Sequence, residues 1–166
     1  MIINPYASTS LEAATLWIQA HPELVVGLTS GSWDLFHDFH LRFLLRCRRV
    51  CDVLIVGVDS DAEVRKVKGP TRPIMSEFQR LMLLDANKHV TFAYVQDGVR
   101  DFTRVAETLL GVHGGVTFRN QLFAGRENEV ALGSVRDKVQ VVIIPDMEEL
   151  NSTTALVARV AQGAGN

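Results

Sequence analysis

The sequence predicts an α/β fold, a doubly wound sheet of five parallel strands with helices on both faces. From about residue 23 to the end of the chain, short apolar runs alternate with longer amphipathic stretches. This alternation is typical of strands that are buried on both faces and joined by helical crossovers. Because such crossovers are right-handed, successive helices are expected to cover both faces of the sheet.

Each predicted strand is a short apolar run, such as ELVVGLT or VQVVII, that is ended by Gly, Asp, Ser, Asn or Pro. Residues of these types form the turns that close strands. The predicted strands cover residues 23–29, 52–58, 91–95, 115–118 and 139–144.

Between these strands the apolar residues recur with helical spacing. An additional helix over residues 10–20 precedes the first strand, with Ser8, Thr9 or Ser10 available as its N-cap. We therefore expect an N-terminal helical extension over residues 1–22, one domain over 23–162 and a frayed tail over 163–166. The other predicted helices cover residues 37–49, 61–67, 76–87, 101–110, a weaker 125–136 and 152–161.

Composition and charge exclude several classes of protein. With 166 residues, 47% of them hydrophobic and 22% charged, the chain is long enough to bury a core without disulfides or structural metals. Its net charge of -2 lacks the basic excess that binds nucleic acids or anionic membranes. We expect neither as a partner, so locally placed groups would have to meet any anionic ligand.

The cysteines and the N-terminus indicate a compartment. Cys47 and Cys51 lie four residues apart near a predicted helix end, too close to cross-link a domain. The sequence has no apolar run of about 18 residues and no signal-peptide pattern at its start. We therefore expect a cytoplasmic protein.

The segment TSGSWDLFHDFH, residues 29–40, follows the first predicted strand and runs into a helix. Open α/β sheets bind ligands at this point, beyond the carboxyl ends of their strands. Gly31 permits a tight turn and a close backbone approach, and the helix N-terminus offers N–H groups and a positive dipole to phosphate.

His37 and His40 are three residues apart, so both imidazoles project from one side of the first helical turn. Both can donate to polyphosphate oxygens, and an added proton would strengthen those bonds as charge builds on a departing pyrophosphate. Two alternatives remain open: ordinary helix residues, or a zinc site. Zinc would need Asp34 or Asp38, because no other Cys or acidic residue has matching spacing.

The run GSWDLFHDFHLRFL resembles the Gly-x-Phe-Asp-x-x-His-x-Gly-His signature of the cytidylyltransferase-like nucleotidyltransferases. These enzymes join a nucleotide to a phosphorylated small molecule and release pyrophosphate. Trp33 replaces the usual Phe, and Phe39 replaces a glycine that lets the nucleotide approach the backbone. The resemblance implies a Rossmann-like sheet in which the Phe39 ring clashes with, or redirects, the base and ribose.

A second stretch, VGVDSDAEVRKVKGPTRPIMSEFQR, resembles the same superfamily's strand, Ser-Asp helix, Lys-Gly loop and Gln-Arg pair. Lys68 is expected in a mobile loop, where it can close on the α-phosphate and neutralise charge during the attack. Arg72 is expected to bind the acceptor's phosphate or a nucleotide phosphate. Arg80 is either phosphate-binding or structural, and Arg65 and Lys66 are expected to be solvated.

A third stretch, MEELNSTTALVARV, places Ser152, Thr153 and Thr154 at the opening of the last predicted helix. Hydroxyls here serve as helix caps, but the same helix end can bind a β- or γ-phosphate. The stretch resembles the Ser-Thr-Thr signature that closes these catalytic domains. Its residues 146–148, DME, are more like the bacterial heptose-1-phosphate adenylyltransferases than the glycerol-3-phosphate cytidylyltransferases.

Other catalytic motifs do not occur in the sequence. It has no Gly-x-Ser-x-Gly nucleophile, no Walker P-loop and no Gly-x-Gly-x-x-Gly fingerprint. Hydrolase, P-loop kinase and dinucleotide oxidoreductase functions therefore have no support in the sequence.

The resemblance over residues 23–160 implies a homodimeric nucleotidyltransferase that uses ATP or CTP, Mg²⁺ and a sugar or polyol phosphate. Mg²⁺ is expected on the nucleotide phosphates and water, with Asp34 as a further candidate ligand. The alternative is a nucleotide-binding or regulatory relative without turnover, because Phe39 and residues 117–125 depart from the family pattern. The expected nucleotide-binding residues, beside the catalytic His37, His40 and Lys68, are Ser30, Gly31, Ser32, Trp33, Asp34, Phe39, Arg119, Asn120, Ser152, Thr153 and Thr154.

Overall fold

The computed structural model describes residues 11–111, 113–145 and, near the C-terminus, 157, 158, 160 and 162. These residues contain a five-stranded sheet in which all neighbouring strands are parallel. Its order, β3-β2-β1-β4-β5, confirms the predicted doubly wound fold. The strands are β1 (Val26–Gly31), β2 (Val53–Asp59), β3 (Phe92–Gln96), β4 (Gly115–Asn120) and β5 (Val139–Ile144).

The helices predicted before β4 begin and end within two residues of their predicted bounds. Ser60 and Ser76 cap two of them, because each hydroxyl accepts a hydrogen bond from the N–H three residues later. None of the described helices is long and apolar enough to cross a membrane. The helices are α1 (Leu11–Gln19), α2 (Asp38–Arg48), α3 (Asp61–Lys68), α4 (Glu77–Asp85) and α5 (Val99–Leu110).

The C-terminal helix is described only in part. Residues 157, 158, 160 and 162 are helical, in agreement with the predicted helix over 152–161. Ser152, Thr153 and Thr154 lie outside the described residues, as does the tail over 163–166. Their predicted roles therefore stay predictions.

The weaker helix predicted over residues 125–136 is wrong. This stretch forms two short 3-10 helices, Glu127–Glu129 and Gly133–Lys138. The Arg136 guanidinium donates to the carbonyl groups of Glu127 and Asn128, at 3.1 and 3.0 Å. In an α-helix those carbonyls would accept from backbone N–H groups four residues later. Here the Arg136 side chain, instead of those N–H groups, donates to the two carbonyl groups.

Apolar clusters bury the sheet on both faces. Adjacent residues of β2 point to opposite faces, so that Val53 lies in one cluster and Leu54 in the other. The first cluster joins α5 to the sheet and includes Ile18 of α1. The predicted N-terminal extension thus contributes to the core of the domain. The second cluster lies under α2 and α4 and contains Cys47 and Cys51, which are both free thiols.

The strand order determines where a ligand can enter. β1 lies at the centre of the sheet, hydrogen-bonded to β2 on one side and to β4 on the other. Because all strands are parallel, their carboxyl ends meet at one edge, where the chain leaves β1 for α2. A crevice forms beyond the strand ends at such a switch point in open α/β sheets.

Candidate active site

Adjoining cavities open at the carboxyl edge of the sheet. The first has a volume of about 330 Å³ and lies beside the start of α2. The second, of about 540 Å³, lies over the ends of β2 and β3. Both volumes are in the range of small-molecule sites. The two cavities meet along a boundary lined by Ser30, Gly31, Ser32, Lys68, Arg119, Leu122 and Phe123.

The two predicted histidines lie together at the first cavity. His37 is the N-cap of α2 and His40 lies in its first turn, with 4.1 Å between their ring centroids. The backbone N–H of His37 donates to Nδ1 of His40 at 3.3 Å. Since Nδ1 is the acceptor, neutral His40 carries its proton on Nε2. His40 therefore has an N–H group available for a ligand.

Burial keeps His40 neutral. It lowers the pKa of His40 to about 3, assisted by the nearby His37 and Lys68. Burial also lowers the pKa of His37, although Asp38 opposes that shift. Contrary to the expectation of an added proton, burial therefore disfavours the protonated form of both rings, most strongly at His40. At neutral pH, His40 is a neutral hydrogen-bond donor.

The turn after β1 is made by Trp33 and Leu35 rather than by Gly31. Their φ angles of 52° and 48° lie in the left-handed region, which side-chain-bearing residues seldom adopt. Gly31 is the last residue of β1 and lines both cavities. The Trp33 indole N–H donates to the carbonyl of Gly57 at 2.9 Å, and its ring meets the His40 ring edge-on at 5.4 Å. Trp33 thus supports His40.

Asp34 does not face the cleft, contrary to its predicted contact with nucleotide or Mg²⁺. Its side chain is fully buried and accepts from Arg72 Nε at 2.7 Å and from the N–H groups of Ile74 and Met75. Burial acts to raise the pKa of Asp34, but these bonds together lower it below its usual value. The buried Asp34–Arg72 pair instead fastens the turn after β1 to the segment before α4. Arg72 is 11% exposed and lines neither cavity, contrary to its predicted contact with a phosphate.

Arg80 has the structural role that was one of its two alternatives. It is fully buried and donates to the carbonyl groups of Ser32 and Asp59 at 2.6 and 2.7 Å. It also donates to the carboxylate of Asp61 at 2.6 Å. Arg80 therefore fixes the ends of β1 and β2 relative to each other, and it offers no surface to a ligand.

Lys68 lies at the boundary between the cavities. It is the last residue of α3 rather than a loop residue, and its Nζ donates to Ser32 Oγ at 2.7 Å. Loss of water around the ammonium lowers the pKa of Lys68, as does nearby Arg72. The side chain as a whole is exposed. Lys68 can therefore contact ligands in both cavities.

Arg119, at the end of β4, is a second cation on this boundary. Its guanidinium lies 4.4 Å from the ring centroid of Phe102 and donates to Ser30 Oγ at 3.4 Å. Burial lowers the pKa of Arg119 to about 10, with Asp59 opposing the shift, so the side chain is charged at neutral pH. The adjacent Asn120 lines the first cavity, and its buried Oδ1 has no hydrogen-bond partner among the described residues.

Comparison with known proteins identifies the family. Residues 28–159 match the family described as cytidylyltransferase-like. The chain belongs to the cytidylyltransferase-like family. This membership confirms the resemblance drawn from the sequence.

Relatives of the cytidylyltransferase-like chain include proteins named bifunctional protein HldE. That of Rhodopseudomonas palustris (strain TIE-1) is 38% identical over 143 residues, which cover 84% of this chain and 28% of the relative. That of Campylobacter jejuni subsp. doylei is 32% identical over 151 residues, which cover 90% of this chain and 30% of the relative. The chain thus spans less than a third of the length of these relatives.

Solved structures resemble the cytidylyltransferase-like fold. The lipopolysaccharide core biosynthesis protein of Thermoplasma volcanium has a TM-score of 0.59 at 22% identity, and the match covers 75% of this chain and 99% of that protein's chain. A pantoate-beta-alanine ligase of Francisella tularensis has a TM-score of 0.53 at 10% identity, and the match covers 84% of this chain and 66% of the ligase chain. At such identities the likeness shows the fold alone.

Several cleft residues were not predicted from the sequence. Asp59 and Gln96 end β2 and β3 and line the second cavity, and Leu122 and Phe123 line both cavities. The signal for the first two was present, because polar residues at the carboxyl ends of parallel strands meet at one edge. Leu122 and Phe123 follow β4 in a turn that apolar periodicity does not describe.

A metal site of the zinc type has little support from the geometry. The described residues of the cytidylyltransferase-like chain contain no group of three or more His, Cys, Asp or Glu side chains that could hold a metal ion. Asp34 is enclosed by its hydrogen bonds. Asp38 lies 4.0 Å from His37 and is half exposed. His37 and His40 are accordingly interpreted as hydrogen-bonding groups.

Replacing Phe39 with glycine is expected to change nucleotide affinity or the preference between ATP and CTP. Phe39 is half-buried at the first cavity, with its ring centroid 6.2 Å from that of His37. Glycine would also weaken α2 by about 1 kcal/mol. Leu41→Gly is the matched control, because Leu41 lies on the same helix, is 43% exposed and does not line the cavity. Melting temperature and both nucleotide affinities should be measured.

A stability loss of about 3 to 5 kcal/mol in the Phe39→Gly variant, with an unchanged nucleotide profile, would assign Phe39 to the core. The Leu41→Gly variant should share the helix penalty and keep wild-type nucleotide binding.

Proposed function

We propose that this chain is a nucleotidyltransferase that transfers a nucleoside monophosphate from ATP or CTP to a sugar or polyol phosphate and releases pyrophosphate. The observation that carries the proposal is the pair of adjoining cavities, with Lys68 and Arg119 on their shared boundary and His37 and His40 in the first. Such a boundary would bring two phosphorylated substrates together beside two cations. Family membership supports the same reaction.

The nucleoside triphosphate would occupy the first cavity. Its phosphates would lie at the N-terminus of α2, where His40 Nε2–H, Ser32 and backbone N–H groups are available as donors. Asn120 Oδ1, which is buried and has no partner among the described residues, would accept from an exocyclic amino group of the base. Ser152, Thr153 and Thr154 would complete the phosphate site, as in the family signature.

In the reaction, an oxygen of the acceptor phosphate attacks the α-phosphorus as the bond to the β-phosphate oxygen breaks. No covalent enzyme intermediate is needed, so positioning and charge stabilisation provide the catalysis. Lys68 would neutralise charge at the α-phosphate, and neutral His40 would donate to an oxygen that gains charge. Mg²⁺ would be held by the nucleotide phosphates and water, because Asp34 already binds Arg72 and two backbone N–H groups.

A sugar phosphate is the favoured acceptor class. The sequence is more like heptose-1-phosphate adenylyltransferases, and its relatives include proteins named bifunctional protein HldE. The competing proposal is a nucleotide-binding relative without turnover, which Phe39 at the usual glycine position favours.

Pyrophosphate release is the test of the proposed function. The protein should release pyrophosphate when ATP or CTP is combined with one member of a panel of sugar 1-phosphates and polyol phosphates, and not with either substrate alone. Nucleotide binding without release across the whole panel would instead support the relative without turnover.

We also infer that the chain forms a homodimer, as compact members of this family commonly do. Ile74, Phe78 and Met82 are 53%, 66% and 58% exposed and follow one another at four-residue intervals. Apolar side chains in such a row support a protein contact. Light scattering at micromolar concentration should give twice the 18.4 kDa mass of one chain.

Phe78→Glu should return the protein to single chains, whereas Leu16→Glu, at an equally exposed position on α1, should not. A wild-type mass of 18.4 kDa would contradict the dimer.

A further inference from the structure

The second cavity has a polar floor and an apolar rim. Val67, Val99 and Leu122 form the rim, and they are 81%, 69% and 71% exposed. Asp59 and Gln96 lie at its floor, where β2 and β3 end. A molecule that fits here must have carbon surface for the rim and hydrogen-bonding groups for the floor.

Asp59 is held in one orientation. Gln96 Nε2 donates to Asp59 Oδ1 at 2.8 Å, and Gln96 Oε1 accepts from the Tyr94 hydroxyl at 3.1 Å. Gly57 makes room for this chain of bonds, because a Cβ there would lie 2.4 Å from Gln96 Oε1. Asp59 Oδ2 has no hydrogen-bond partner among the described residues. The carboxyl group is thus fixed through one oxygen, and its other oxygen is available to a ligand.

Charged groups lie in different parts of the second cavity, which Glu63 and Glu129 also line. Lys68 and Arg119 lie on the boundary with the first cavity, whereas Asp59 lies on the floor. Burial raises the pKa of Asp59, and the bond from Gln96 and the cations Arg80, Arg119 and Lys68 oppose that shift. A phosphate is attracted to the cationic boundary and repelled from the carboxylate. Hydroxyl groups, in contrast, are good donors to Asp59.

We propose that Asp59 recognises the hydroxyl groups of the acceptor, whose phosphate lies at Lys68 and Arg119. This inference rests on the proposed function and assigns a specificity residue to its second substrate. The ligand class is a polyhydroxylated phosphate, such as a sugar phosphate, with its carbon skeleton against Val67, Val99 and Leu122. Gln96 is a positioning residue, because it acts only through Asp59.

The test compares two phosphates that differ in their hydroxyl groups. D-Mannose 1-phosphate and cyclohexyl phosphate share a six-membered ring and a phosphate, but only the first has ring hydroxyls. Calorimetric affinities would be measured with a non-hydrolysable ATP or CTP analogue present. The wild type should bind the mannose phosphate about 10-fold or more tightly than cyclohexyl phosphate. Asp59→Asn should reduce that preference to about 3-fold or less, and Asp59→Ala should abolish it.

Glu129→Gln is the matched control, because Glu129 lines the same cavity but its carboxylate already accepts from Arg126 Nε at 2.9 Å. This variant should keep the wild-type preference. A wild type that does not discriminate, that binds neither phosphate, or whose preference survives in Asp59→Asn would overturn the inference. Affinity for the nucleotide analogue should be unchanged by Asp59→Asn. If the wild type did not bind the nucleotide analogue, that result would count against the proposed function. The preference between the two phosphates would still be measurable.

Discussion

Replacing His40 with alanine is expected to lower the saturated rate of pyrophosphate release about 100-fold or more, with a much smaller effect on nucleotide affinity. The His37 N–H donates to Nδ1 of His40. This bond holds the imidazole in place and leaves its proton on Nε2. Trp33 packs against the same ring. A donor fixed in this way stabilises charge that develops in the transition state more than charge in the ground state.

The measurement is a comparison of kcat with the dissociation constant of the nucleotide. His113→Ala is the control, because His113 is exposed and lies outside both cavities. An equal loss of affinity with a preserved saturated rate would assign His40 to ground-state binding. Because its pKa of about 3 leaves His40 neutral, the wild-type rate should not fall between pH 6 and pH 8 through loss of an imidazolium proton. Such a fall, absent from His40→Ala, would show a cationic role instead.

Replacing Lys68 with alanine is expected to remove most turnover, by about 100-fold or more, and to leave the melting temperature nearly unchanged. The Lys68 side chain is exposed and lines both cavities. Its ammonium group donates a hydrogen bond to Ser32 Oγ, its one side-chain partner among the described residues. Its removal leaves no buried group unpaired, so the fold loses little. The reaction, however, loses a positive charge beside the attacked phosphate.

Lys66→Ala is the matched control for Lys68→Ala. Lys66 lies on the same helix, is 68% exposed and pairs with Glu63. Its loss should change neither turnover nor melting temperature by more than a small amount, as for other exposed ion pairs. A large fall in melting temperature with preserved turnover in Lys68→Ala would show that Lys68 is structural.

Motif and spacing predicted a set of charged site residues. They did not distinguish the residues that face the cleft from those whose buried hydrogen bonds stabilise its walls. Asp34, Arg72 and Arg80 lie in the same motifs as His37 and Lys68, yet they are bonded to one another's segments and carry the turn after β1. A buried ion pair and a ligand-binding cation have the same residue types. Only their partners differ, and those partners come from residues about 20 to 50 positions away in the chain.

Local periodicity and contiguous motifs were sufficient to predict the doubly wound parallel sheet, nearly every helix and strand, the family and the position of His37 and His40. The packing of the folded chain, in contrast, encloses Arg80, keeps His40 neutral and brings Asp59 into one cavity with Lys68 and Arg119. These properties could not be predicted because burial, pKa and the assembly of a cleft depend on which residues become neighbours when parallel strands end at one edge. That neighbourhood is a property of the folded sheet and has no signature within any single segment.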